Sequence, residues 1–157
     1  MKRILSILFI ALSLVGFAQK KEVKLKVVQY TPYCGGAKPP QAMLDAAKLP
    51  QPYANMTLIY KNAKGKVDSV RTNDSGMVTL NLVYSTYRFY EAWRYYKTLP
   101  DPSLKNNNDK KCMDEEWAKT LIKISITKDS PSKIHSAEIH HLCPHQLPCA
   151  IKKYLPE

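Results

Sequence analysis

The residues best suited to chemistry in this 157-residue chain are its four cysteines and three of its four histidines. Cys34 stands early, Cys112 in the middle, and the C-terminal run reads His140-His141-x-Cys143-x-His145-x-x-x-Cys149. Two chemistries fit these types. An even cysteine count in an oxidising compartment points to two disulfides, and four cysteines allow three connectivities. The competing chemistry is a metal site at His140, His141, Cys143 and His145, because imidazole and thiolate suit zinc or copper. The spacing matches no standard zinc finger, and neighbouring strand residues such as His140 and His141 point to opposite faces unless the strand has already ended. The disulfide reading requires no cofactor.

A second group of candidates lies in residues 84–96, which are dense in aromatics. Read as one strand, the segment puts Tyr87, Phe89, Glu91, Trp93 and Tyr95 on one face and Arg88, Tyr90, Ala92, Arg94 and Tyr96 on the other. Both faces mix rings and charges, so the alternation does not choose an inner one. Trp93, Tyr95 and Tyr96, at the end of the strand, are the expected ligand platform, since aromatic rings beside arginines suit a sugar ring or an acidic glycan. The other use of such rings is to fill a sandwich core. No Ser/His/Asp or Cys/His arrangement has local context, no glycine loop is built for phosphate, and no paired carboxylates have supporting neighbours. The expectation is a protein that is not an enzyme.

Lys2 and Arg3, the apolar run 4–15 and the small residues Gly16 and Ala18 read as a signal peptide over residues 1–18, cleaved before Gln19. The apolar run falls short of the ~20 residues of a comfortable membrane span. No membrane span is then expected after cleavage, and residues 19–157 form one domain, exported to the periplasm or beyond the cell. The formal net charge is +11, of which Lys2 and Arg3 contribute two, leaving +9. Such a surface either keeps a small domain soluble or attracts anionic lipids and polyanionic glycans. Export makes nucleic acid a poor partner. The expected partner is a protein or glycan at the cell envelope.

The elements that must position these residues are mostly short strands. Residues 22–31 alternate with Val23, Leu25 and Val27 on one side, until Pro32 ends the run. Residues 41–48 are good helix formers that must pack on the sandwich, being too short to hold themselves. Residues 57–82 read as three strands joined by the turns Asn62-Ala63-Lys64-Gly65 and Asn73-Asp74-Ser75-Gly76. A polar loop covers 97–111, one helical turn is expected within 114–117, and residues 121–127 alternate through Ile122, Ile124 and Ile126. Residues 134–141 form the last strand, followed by a tail held by cysteines. If the first and last strands run parallel, Cys34 and Cys143 share a pole. If the last two strands form a hairpin, Cys112 joins them. Cys34 with Cys143 and Cys112 with Cys149 is the pairing preferred on that topology.

The strand, the turn ending in Gly65-Lys66, the strand ending in Thr72 and the Thr72-x-x-x-Gly76 step resemble the hairpin core of prealbumin-like sandwiches. These include the transthyretin-like, carboxypeptidase regulatory-like and collagen-adhesin B-type domains. Tyr33-Cys34-Gly35-Gly36-Ala37-Lys38-Pro39 also resembles the start of small secreted bacterial proteins of that class. The resemblance implies an all-β fold, a prealbumin-like antiparallel β-sandwich of about seven strands with one short helix and a cysteine-anchored C-terminal tail. It implies no particular activity. The hydroxyisourate hydrolases of the transthyretin-like group share a Tyr-Arg-Gly-Ser ending, where this chain has Tyr154-Leu155-Pro156-Glu157. An isopeptide bond of the collagen-adhesin type would draw on Lys24 or Lys26, which alternate outward. The reading is thus an exported, non-enzymatic binding or structural module, with a zinc- or copper-binding module as the alternative.

Overall fold

The computed structural model describes residues 19–35, 38–101, 105, 108–143 and 149–151. The proposed signal segment 1–18 lies outside them. Among the described residues, eight strands and three helices follow in chain order: β1 (Lys20–Tyr30), α1 (Gln41–Ala47), β2 (Gln51–Pro52), β3 (Thr57–Asn62), β4 (Val67–Arg71), β5 (Met77–Val83), β6 (Ser85–Glu91), α2 (Ala92–Tyr95), α3 (Lys110–Ala118), β7 (Ile122–Ile126) and β8 (Ile134–His140).

They form two sheets. Sheet I is organised on the long β1, which pairs in parallel with β8 on one edge and antiparallel with β5 and then β2 along the other. Sheet II has the order β4-β3-β6-β7 and is antiparallel throughout. The period-two alternation buries Val23, Leu25 and Val27 of β1 against Leu58 of β3, Tyr87 and Phe89 of β6, and Ile124 and Ile126 of β7. Val78 and Leu82 of β5 and Ala137 and Ile139 of β8 complete the layer. The outward residues of β1 include Lys24 and Lys26; both are exposed, and Lys24 Nζ lies 3.2 Å from Glu22 Oε1.

The chain crosses between sheets at the Thr72–Gly76 step. The Thr72 hydroxyl is buried, donates to the Tyr53 carbonyl at 2.5 Å and accepts from the Met56 N–H at 2.9 Å. The Asn73 side-chain oxygen accepts from the N–H groups of Ser75 and Met77, closing the turn. Gly76 has φ +70°, and a Cβ there would stand 2.3 Å from the Val27 carbonyl oxygen. Only glycine permits this close pass over β1.

Several expectations are corrected. The three strands of 57–82 are not one meander: β3 and β4 form a hairpin, but β5 belongs to the opposite sheet. β7 and β8 are not a hairpin either, because they too lie in different sheets. The sandwich has eight strands, counting the two-residue β2, and one of its pairings is parallel. Among the described residues there are three short helices, where one helix and a single turn at 114–117 were expected. The aromatic segment is not one strand, since β6 ends at Glu91 and α2 begins at Ala92. Ala92 favours a helix, and the Arg94 guanidinium reaches the Glu91 carboxylate at 3.1 Å across one helical turn. Finally, α1 buries none of its own residues. In the chain it stands between the disulfide-bonded Cys34 and β2.

Candidate functional site

The parallel register sets Tyr30 opposite His140, so the chain segments leaving β1 and β8 emerge at the same end of sheet I. Cys34 and Cys143 lie just beyond those strands, and their sulfurs are bonded, with Cα atoms 5.4 Å apart. The second disulfide joins Cys112, in the first turn of α3, to Cys149. The Asp109 carboxylate caps α3 by accepting from the Cys112 N–H at 2.7 Å, and the Asp109 N–H donates to the Cys149 carbonyl at 2.8 Å. The C-terminal segment is thereby fastened beside a helix start.

The histidines of this pole have separate surroundings. The His140 ring stacks on Tyr30, with centroids 4.7 Å apart and planes within 5°, and its Nε2 lies 3.5 Å from Glu138 Oε2. His141 turns the other way: its N–H donates to the Tyr30 carbonyl, and its Nε2 lies 2.8 Å from Gln29 Oε1. The strand alternation still separates the two rings. Cys143 has its sulfur in a disulfide and supplies no thiolate. His145 lies outside the described residues. Among the described residues, no group of three or more His, Cys, Asp or Glu side chains could hold a metal ion.

The second candidate group is spread over a helix. Trp93 is half-buried and its ring carries the Arg94 guanidinium 4.3 Å from the centroid. Tyr95 packs against Tyr90 at 5.8 Å, and Tyr96 stands edge-on to Tyr95 at 5.4 Å. Of the three, Tyr96 alone is largely exposed, at 62%. The helix thus converts a ladder of rings into a cluster with one outward tyrosine.

Sequence reasoning missed the charged network beneath that cluster. Arg94 bridges Glu91 and Glu116, with its Nη1 2.8 Å from Glu116 Oε2 and 2.7 Å from the Glu116 carbonyl. Lys119 also contacts Glu116. Burial would raise the Glu116 pKa, but the bonds from Lys119 and Arg94 outweigh it and hold the carboxyl below its ordinary range. Burial, and after it the Glu91 charge, pushes the Tyr53 phenol up to about 12. The sequence held two signals of this network, the i,i+3 spacings of Glu91 with Arg94 and of Glu116 with Lys119.

Among the described residues, two of the cavities on the sandwich bear on function. One, of about 240 Å³, lies where the sheets part near Lys20 and is lined by Tyr60 and Tyr87. Both phenols are raised, each first by burial and Tyr60 further by the Asp68 charge. The other, of about 570 Å³, lies on the outer face of sheet II beside the β3–β4 turn and is lined by Lys61, Lys64, Arg88 and Lys123.

No family model matches the chain. Among solved structures it is similar to a shaft pilin SpaA variant from Lactobacillus rhamnosus GG, with 12% identity and a TM-score of 0.39 over 87% of this chain and 52% of that one. The N-terminal domain of the same pilin gives 12% identity and a TM-score of 0.35, covering 87% of this chain and 99% of that one. The Bacillus anthracis TIE protein gives 13% identity and a TM-score of 0.36 over 76% of this chain. The chain spans 17% of the TIE protein and 52% of the SpaA variant. These likenesses are distant.

Proposed function

We propose that this chain is an exported, non-enzymatic module of the prealbumin-like class, released from a signal peptide at residues 1–18. It serves as a binding or structural unit at the cell envelope, in the periplasm or outside the cell. The observation that carries this reading is the pair of disulfides. One ties the segment after β1 to the segment after β8, across 109 residues, and the other ties α3 to Cys149. Such bonds persist in oxidising compartments. Two further features support the reading: a rigid two-sheet core, and the buried Thr72 and tight Gly76 at the step that first suggested the class.

Binding on such a scaffold belongs to its loops. The loops at the Cys34–Cys143 pole are one contact surface for a protein or glycan partner. The cluster of Trp93, Tyr95 and Tyr96 is the other, with the exposed Tyr96 ring available to a sugar face.

Intact mass and thiol labelling of the protein recovered from its native host test the reading together. The expected result is the mass of residues 19–157 less four hydrogens, with no thiol labelled until reduction. Four labelled thiols protected only by zinc or copper would instead establish a metal module. A mass retaining residues 1–18 would overturn the export reading.

A further inference from the structure

The outer face of sheet II carries a row of cations that the fold does not neutralise. In the ladder, Lys61 of β3 stands opposite Arg88 of β6, and Arg88 stands opposite Lys123 of β7. The alternation that buries Tyr87, Phe89 and Ile124 turns all three outward. Like charges directly opposite one another weaken a sheet. Three in series span about 10 Å at ordinary strand spacing. None of the ion pairs among the described residues includes Lys61, Arg88 or Lys123. Lys64 adds a fourth cation from the β3–β4 turn, which forms a wall of the 570 Å³ cavity over this row.

We infer that this row is a binding site for a linear acidic polysaccharide, with Lys61, Arg88 and Lys123 meeting its carboxylates. Arg88, at the centre, presents a planar fork that matches a carboxylate in two parallel hydrogen bonds. Beside the row, the Thr86 and Ser125 hydroxyls lie 3.0 Å apart and supply neutral partners for sugar hydroxyls. The cavity lining contains no aromatic ring on which a nucleic-acid base could stack and no large apolar side chain to enter a lipid layer. An extended hydroxylated polyanion remains the occupant whose chemistry the row matches. The site is separate from the aromatic cluster of α2 and rests on the reading of the protein as a binding module.

The test measures binding of a polygalacturonate oligosaccharide to the protein as recovered from its host, at physiological salt. One variant carries Lys61→Gln, Arg88→Gln and Lys123→Gln. A charge-matched control carries Lys20→Gln, Lys24→Gln and Lys26→Gln on β1. The row variant is expected to bind at least about tenfold more weakly, from three exposed pairs of about 0.5 kcal/mol each, and the control to change less than about threefold. Arg88→Lys, which keeps the charge and loses the fork, is expected to fall between wild type and the row variant. Removing repulsion should leave the row variant's melting temperature equal or higher, so lost binding would not reflect unfolding. Equal weakening in both triple variants would reduce the effect to net charge and overturn the site. So would wild-type binding by the row variant, no wild-type binding at all, or tighter binding to phosphatidylglycerol vesicles or single-stranded DNA. Cell fractionation tests export independently, so the two readings can fail apart.

Discussion

The outer faces of the two sheets are built by the same alternation and end up unlike. On sheet I, β1 presents Lys20, Glu22, Lys24 and Lys26, β5 presents Thr79 and Asn81, and β8 presents Ser136, Glu138 and His140, all exposed. The charges are mixed in sign, with Glu22 bound to Lys24 and Glu138 near His140. Such a face keeps a protein soluble and needs no further use. On sheet II the outer face is divided. Near the Glu91 end of β6, α2 packs on β3, β6 and α3. Ile59 and Met113 are buried there, outside the inter-sheet core. Near the Ser85 end, the face is open and carries the Lys61–Arg88–Lys123 row. Equal alternation therefore produces three different surfaces, and what distinguishes them is the cross-strand neighbour of each residue.

The sharpest break between the faces is apolar. Met113→Ala is expected to cost about 3 kcal/mol, because its side chain is fully buried beneath α3. Ile134→Ala, on the open face of β8 and 54% exposed, should stay within about 0.5 kcal/mol. Urea denaturation of both variants checks the contrast, and equal losses would mean that the sheet I face is covered in the native protein. Next comes the charged network. Arg94→Met leaves Glu91 and Glu116 without their guanidinium and should cost about 2 kcal/mol at neutral pH, less than a fully buried pair because solvent still reaches Arg94.

A pH titration separates the sheets further. Burial, with the Lys133 charge behind it, holds His135 of β8 below the ordinary imidazole value. The unfolded chain then takes up that proton first, so stability should decline as pH falls through about 6.5. Glu116 has a depressed carboxyl pKa, so its contribution is complete above about pH 4.5 and fades as pH falls through the folded value. His135→Gln should remove the first decline alone, and Arg94→Met should shrink the second. The smallest effect tests the row itself. Lys123→Glu should stabilise the unliganded protein by about 0.5 kcal/mol, and less in high salt, whereas Lys24→Glu, which places two carboxylates side by side with Glu22, should not.

Much of this was legible in the residues. Val23, Leu25 and Val27, and Ile124 with Ile126, announced their strands because each alternates cleanly against lysine or serine. The pairing of Cys34 with Cys143 was reached on the condition that the first and last strands run parallel, and they do. Where both faces carried rings and charges, as over residues 84–96, the alternation had nothing to discriminate, and the helix beginning at Ala92 was invisible. The assignment of β4 and β5 to opposite sheets was also hidden, since a tight turn looks the same whether it closes a hairpin or crosses a sandwich. The cationic row could not be read at all. Lys61, Arg88 and Lys123 are far apart in sequence, and only the ladder register makes them neighbours.

The central place of β1 has a consequence in time. All four strands of sheet II lie between Thr57 and Ile126, joined in part by local turns, so this sheet can assemble while the rest of the chain is still emerging. Sheet I must wait. Its middle strand is made first, yet its parallel neighbour β8 is made last, and a pairing across so long a loop forms slowly. Until then the β8-facing edge of β1, where Lys24 and Lys26 alternate with Leu25 and Val27, stays unpaired. The edge of β1 that receives β8 is therefore the last seam of the molecule to close, while β2 and β5 can already hold the opposite edge.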